Sequence, residues 1–288
     1  MSNSIKLIEC PRDALQGWKS NISTEKKINY LNSLLGVGFD TIDFGSFVSP
    51  KTIPQMADTK LVIPKLQLTN SSSKLLAIVA NFRGANEAAD FDEITYLGFP
   101  FSISETFQLR NTNSTILESL NTVEEIFNGC IKRKKQLVVY LSMSFGNPYE
   151  DPFDEEVVFY WADKFASMGI KTISLADTIG VASVEQITKL TSYLIKALPE
   201  TEIGVHLHSS PTKWKEKFEA ALNAGCKRFD GALKGFGGCP MATDQLIGNM
   251  PTELMIAQLE NNTSFKSYNE KALTKSLLLA NEIFHKEN

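Results

Sequence analysis

Eight short apolar runs rich in β-branched residues, segments of helical spacing between them, and 288 residues without a break in composition predict an α/β fold, a single closed (β/α)8 TIM barrel. Strands that alternate with helices of this length run parallel with right-handed crossovers, and eight such units are enough to close the sheet. An open doubly wound sheet is the alternative. Barrels run to about 200–250 residues or more as one domain, so residues 1–288 are read as one catalytic domain with C-terminal helices from about 250–288.

The first strand is expected over Ile5–Ile8 and leads into Cys10-Pro11-Arg12-Asp13. Ser23 then precedes an amphipathic helix over Thr24–Leu35, with Lys26 where a capping-box Glu would sit and Gly36 and Gly38 behind it. Strands follow at Thr41–Phe44, Leu75–Ala80 and Ile94–Phe99, then a helix over Ile116–Lys134 and a strand at Leu137–Leu141. The helix over Phe153–Met168 stops at Gly169, and the strand Thr172–Leu175 leads to a helix over Val184–Ala197. Strand Ile203–Leu207, helix Lys213–Ala224 with Gly225 behind it, and strand Arg228–Leu233 complete the alternation. Gly235-Phe236-Gly237-Gly238 lacks both the G-x-G-x-x-G spacing and the acidic residue about 20 positions on, which excludes a dinucleotide-binding loop.

With 43% hydrophobic and 22% charged residues and a net charge of -4, the chain can bury a full core, which excludes disordered, collagenous and small disulfide-stapled classes. Acidic residues (33) outnumber basic ones (29), and Lys132-Arg133-Lys134-Lys135 is the one dense basic run, so no nucleic-acid partner is expected. Cys10, Cys130, Cys226 and Cys239 are scattered without a C-x-x-C pair, the pattern of a reducing compartment, and a cytoplasmic location is expected. No run of about 18 apolar residues predicts a membrane span, and the N-terminal residues carry no export-signal pattern.

Chemistry on such a barrel belongs at the C-terminal ends of the strands. There the sequence places Arg12 and Asp13, Asp43 and Ser46, Asp177, and His206-Leu207-His208. The chain has three histidines, and two of them stand two residues apart on one strand, so both point the same way, into the barrel. They can be satisfied core residues or, with Asp13, ligands to a divalent metal.

Arg12-Asp13-Ala14-Leu15-Gln16, Ser46-Phe47-Val48-Ser49-Pro50-Lys51, Pro54-Gln55-Met56-Ala57-Asp58, Asp177-Thr178-Ile179-Gly180, His206-Leu207-His208, Gly237-Gly238-Cys239-Pro240 and Gly248-Asn249 together resemble the 3-hydroxy-3-methylglutaryl-CoA lyase family in order and spacing. The resemblance implies metal-dependent cleavage of 3-hydroxy-3-methylglutaryl-CoA to acetyl-CoA and acetoacetate. It implies Mg2+ or Mn2+ as cofactor, held by Asp13, His206, His208 and Asn249, an acyl-CoA substrate, and a homodimer. Arg12 would contact substrate and stabilise the developing negative oxygen. Cys239 would protonate the enolate carbon, although the same residue reads equally as a small buried side chain. His206, or a carboxylate near it, would be the base. Asp43 and Asp177 would lie near the metal as supporting or acid–base groups, or cap the following helices. Ser46 and Lys51 would contact substrate, with a solvated charge as the alternative for Lys51. Leucine degradation, ketone-body formation and isoprenoid-related chemistry all accommodate this reaction.

The chain departs from the family pattern at several places. Ala14 stands where Gly is usual, Ser209 where an Asp follows the second histidine, and Val138-Val139-Tyr140 where Arg-Gly-Tyr is usual. Phe145-Gly146-Asn147-Pro148 lacks a cysteine, and the stretch from Cys239 to Asn249 is one residue longer. These changes spare the metal set and bear on substrate choice. A metal-dependent aldolase or Claisen-type acyltransferase on the same barrel is the alternative function, and a non-catalytic assembly barrel is a third.

Overall fold

The computed structural model describes residues 4–238 and 247–285. Its strands are β1 (Lys6–Glu9), β2 (Thr41–Ser46), β3 (Lys74–Ile78), β4 (Ile94–Ser102), β5 (Gln136–Ser142), β6 (Thr172–Asp177), β7 (Glu202–Leu207) and β8 (Arg228–Gly231). They pair in chain order, and β8 returns to β1 in parallel register, Lys6 opposite Arg228 and Glu9 opposite Gly231, to close the barrel. The fold is the (β/α)8 barrel, and the open sheet is excluded.

The helices are α1 (Pro11–Gln16), α2 (Thr24–Leu35), α3 (Thr59–Val62), α4 (Phe82–Ala89), α5 (Glu105–Thr112), α6 (Ile116–Lys132), α7 (Glu155–Ser167), α8 (Val184–Ala197), α9 (Trp214–Asn223), α10 (Thr252–Leu259) and α11 (Glu270–Ile283). α2 and α8 hold the bounds their periodicity predicts. α7 starts later than expected because Asp154 accepts from the Val157 N–H, which makes it the N-cap and leaves Phe153 outside. α6 stops short because Lys134 turns left-handed at φ 56°. The helix over Phe82–Ala89 was not expected. It is only eight residues long, with Gly84, Ala85, Ala88 and Ala89 on its buried side, and Gly84 packs where a Cβ would lie 2.5 Å from the Phe47 carbonyl oxygen.

Two strand ends bear on the site. β2 runs past Phe44 to Ser46, with a bulge between Asp43 and Gly45. β8 stops at Gly231 rather than Leu233, because Ala232 bridges to Pro251 and the Leu233 N–H donates to Glu9 Oε1 at 2.9 Å.

One apolar layer fills the space between sheet and helices, and a second, Leu76, Ile78, Tyr96, Val138 and Tyr140, fills the barrel itself. Tyr140, Ser174 and Gly204 are register partners across β5, β6 and β7. The missing side chain of Gly204 is replaced by the stem of Arg228, whose Cδ would lie 2.9 Å from a Cβ there, while its guanidinium sits 6.0 Å from the Tyr96 ring centre and 3.7 Å from Glu202. Gly204→Ala is therefore expected to overpack the interior and cost about 1–3 kcal/mol, read as a lower urea midpoint at an unchanged slope.

Candidate active site

The chain leaves β1 at Cys10, and Pro11, suited to the first position of a helix, starts α1 over the barrel mouth. That turn carries Arg12 and Asp13. Arg12 donates from Nε to Asp43 Oδ2 at 2.9 Å, from Nη2 to the same oxygen at 2.5 Å, and from Nη1 to Asp13 Oδ1 at 3.0 Å. Gln16, one turn on, also donates to Asp13 Oδ1, at 2.8 Å. Asp13 Oδ2 accepts from Asn249 Nδ2 at 2.7 Å. The glycine loop closes against this pair: at Gly237, φ +100°, a Cβ would lie 2.7 Å from Asn249 Nδ2 and 2.9 Å from the Asp13 carbonyl oxygen.

β7 delivers both histidines inward. His208 Nδ1 faces the Thr178 carbonyl oxygen at 3.1 Å, an acceptor, so that nitrogen carries the proton. His206 Nδ1 faces Asp230 Oδ2 at 3.2 Å and is a donor for the same reason. The two Nε2 atoms are then bare lone pairs, and they face each other at 3.2 Å. Two acceptors at that distance repel unless a proton or a metal ion lies between them. Asp13 completes the group, with its ligand atom and those of both histidines within 4.8 Å of one another. One carboxylate, two imidazoles and the neighbouring Asn249 amide suit a divalent cation, so these residues fit a metal on the chemistry of their donors.

The electrostatics follow from burial. Burial alone would raise Asp13, but the Arg12 guanidinium and the two histidines hold its carboxyl well below the usual range. Asp43 is raised to about 6 by burial despite Arg12. Burial and the neighbouring His206 push His208 down to about 4, which keeps its lone pair available. Burial opposes charge on His206, but the hydrogen bond to Asp230 and the charges of Asp230 and Asp13 together outweigh it and the pKa rises.

The cluster lines a cavity of about 170 Å³, whose other lining residues include the apolar Val48, Ile53, Ile78, Ala80, Pro100 and Phe107 and the polar Asn111, Thr112, Ser142 and Thr178. Arg12, Asp13, His206 and His208 line it together, as their spacing suggested, and Asn249 adjoins Asp13. Asp43 lies behind Arg12, fully buried. Three expectations fare differently. Asp177 faces away from the cavity: along β6 Ala176 takes the inward position, and the Asp177 carboxylate accepts from the Val181 and Ala182 N–H groups and pairs with Lys217 Nζ at 2.6 Å. It anchors the turn after β6, and the helix that follows is capped by Ser183 rather than by Asp177. Ser46 is buried with its Oγ accepting from the Val48 N–H, outside the cavity lining. Lys51 is exposed on the loop, while Thr52 and Ile53 reach the cavity instead. Cys239 lies outside the described residues.

Two functional neighbours escaped the sequence reading. Asp230, register partner of His206, holds that ring, and two charges two residues apart on an apolar strand, Arg228 and Asp230, were the available signal. Lys217 donates to Asp177, to the Gly180 carbonyl at 3.0 Å and to the His208 carbonyl at 2.9 Å, tying the β6 turn to the end of β7. A lysine on a helix gives no such sign.

Fold and site define a barrel enzyme whose cavity is lined by a buried guanidinium and a cluster that fits a divalent cation. The chain matches the HMGL-like family over residues 5–279. It is 34% identical over 250 residues to the hydroxymethylglutaryl-CoA lyase YngG of Bacillus subtilis, covering 87% of this chain and 83% of that protein. It is 32% identical over 259 residues to the mitochondrial hydroxymethylglutaryl-CoA lyase of Homo sapiens, covering 89% and 78%. Among solved structures, an HMG-CoA lyase from Acinetobacter baumannii in complex with coenzyme A and 3-methylmalate superposes with a TM-score of 0.90 at 30% identity, covering 98% of this chain and 92% of that one. The chain belongs to the HMGL-like family and is a carbon–carbon lyase.

Proposed function

We propose that this chain is a hydroxymethylglutaryl-CoA lyase that cleaves 3-hydroxy-3-methylglutaryl-CoA to acetyl-CoA and acetoacetate, with Mg2+ or Mn2+ held by Asp13, His206, His208 and Asn249. The observation that carries the reading is the pair of bare Nε2 atoms converging beside Asp13 and Arg12 in the cavity lining. When bound, the divalent ion supplies a Lewis acid that makes the substrate hydroxyl far more acidic. Arg12, always cationic and held by two carboxylates, faces the thioester end and stabilises negative charge on its oxygen as the carbon–carbon bond breaks. The hydroxyl proton passes to His206, which lines the cavity, or to a carboxylate near it, while Asp43, fully buried and outside the cavity lining, holds Arg12 in place. The Asp43 pKa of about 6 sets the loss of that hold close to a working pH. Cys239 returns a proton to the enolate carbon, and Gly237 and Gly238, which precede it in sequence, pack against Asp13.

Because Asp43 holds the Arg12 guanidinium best when ionised, activity is expected to fall as pH drops through about 6. Asp43→Asn should lower kcat about 10–100-fold and remove that acid limb, the scale of losing a supporting partner. A limb that stays in place in the variant assigns it to another group.

One feature favours a second reading, a different 3-hydroxyacyl thioester or a 2-oxo acid: among the described residues that line the cavity Arg12 is the only Lys or Arg, and Val138 is fully buried in the barrel interior. Acetoacetate release from 3-hydroxy-3-methylglutaryl-CoA, measured with Mg2+ or Mn2+ and again with EDTA, tests the primary reading. Metal binding without release selects the second. We further place the chain in the cytoplasm as a one-domain homodimer. Three buried free thiols, Cys10, Cys130 and Cys226, support a reducing compartment, and among the described residues no helix is long and apolar enough to cross a membrane. Light scattering of the purified protein tests the dimer.

A further inference from the structure

We propose that Cys10, His206 and Asp230 form a second metal site, on the opposite edge of the His206 ring from the Asp13 cluster, and that this site takes Zn2+. The two groups share His206 alone. Its Nε2 faces His208 at 3.2 Å, and its Nδ1 faces Asp230 Oδ2 at 3.2 Å. The ligand atoms of Cys10, His206 and Asp230 all lie within 4.8 Å of one another, and all three side chains are buried.

Two independent observations point to a ligand there. Asp230 is 2% exposed, yet its Oδ1 has no hydrogen-bond partner among the described residues. Such a buried acceptor is costly unless something supplies it. Cys10 Sγ makes one weak contact, to the Ile8 carbonyl at 3.7 Å, although it stands among carboxylates. Burial, Asp230 and Asp43 keep its thiol protonated when no metal is present.

Donor chemistry separates the two sites. The Asp13 cluster offers oxygen and nitrogen, suited to Mg2+ or Mn2+. A thiolate, an imidazole and a carboxylate are the donors of a tetrahedral zinc centre, with room for one further ligand. Binding releases the Cys10 thiol proton, and the His206 ring proton passes from Nδ1 to Nε2 as Nδ1 takes the metal. That proton on Nε2 donates to the bare His208 Nε2, so a zinc ion at Cys10 withdraws His206 from the Asp13 cluster. The two sites exclude each other, and Zn2+ acts as an inhibitor.

The test uses the full chain with a phosphine reductant and Co2+ as the probe. Expected is a near-ultraviolet thiolate-to-cobalt charge-transfer band with one proton released per ion, displaced by Zn2+ and absent from Cys10→Ala. That variant should keep its Mn2+ affinity, measured by electron paramagnetic resonance. A band that is missing from the wild type, or that persists in Cys10→Ala, overturns the proposal. Zinc inhibition should be at least tenfold more potent against the wild type than against Cys10→Ala, and equal potency overturns the exclusion. The absorbance measurement needs no turnover, so it stands whether or not the lyase reading holds. Failure of Mn2+ to bind either protein counts against that reading alone.

Discussion

Asp13→Ala is expected to abolish metal-dependent turnover and to weaken Mn2+ binding by more than about 100-fold. Among the described residues, Asp13 is the one carboxylate grouped with both histidines, whose Nε2 atoms lie 3.2 Å apart. Losing a support of a metal ligand already costs about 10–100-fold in affinity, and losing a charged ligand costs more. Several kcal/mol of transition-state stabilisation follow the ion, so a drop in kcat/KM of about 10³ or more is the expected scale. The fold should survive. Arg12 keeps both hydrogen bonds to Asp43, and Asn249 Nδ2 keeps the Phe236 carbonyl at 2.8 Å. The check is a pair of measurements: Mn2+ titration followed by paramagnetic resonance, and acetoacetate release at saturating metal. Activity restored by excess Mn2+ would mean that Asp13 sets affinity only. Activity unaffected at limiting metal would remove it from the site.

Much of this centre was legible because its signals are local. A period of two places His206 and His208 on one face, the alternation of strands and helices makes that face the inside of a barrel, and Arg12-Asp13 follow a strand end directly. What sequence could not give depends on parity at strand ends and on partners far along the chain. Asp177 is the last residue of β6, and a shift of one residue sends a side chain to the other face. Ala176 took the inward place, leaving Asp177 to Lys217, 40 residues on. Ser46 follows the bulge in β2, where the alternation that would aim it inward is broken. Lys51 sits on a loop, where no period constrains direction. Asp230 and Lys217 act on the histidines through a carboxylate oxygen and a backbone carbonyl, contacts set by register between β7 and β8 and by the packing of α9. Neither partner leaves a motif, because a supporting acid or lysine needs only reach and burial.

Arg12→Met should separate catalysis from metal binding, and stability should fall with catalysis. Arg12 is 7% exposed, and its guanidinium spans Asp43 and Asp13 and is held charged by both carboxylates although burial opposes the charge. Removing it leaves Asp43 without its only hydrogen-bond donor among the described residues, a buried charge of the kind that costs about 3–5 kcal/mol when its partner is deleted. Asp43 escapes part of that cost by protonation, since its pKa, already about 6, rises further once Arg12 is gone. The sign follows: in the variant the folded state holds a proton that the unfolded state has released, so stability falls as pH rises from the ordinary carboxylate range through the folded pKa. The wild type shows the same slope over a narrower window ending near 6. In catalysis, loss of the guanidinium that lines the cavity should lower kcat by about 10²–10³, while Mn2+ affinity changes far less, because Arg12 is not a ligand. Arg12→Lys should rescue stability in part and kcat poorly, because a single ammonium cannot reproduce the forked contacts to Asp43 and Asp13. Urea unfolding at two pH values and single-turnover kinetics on both variants decide it. Full activity in Arg12→Lys would reduce Arg12 to a point charge that positions Asp43.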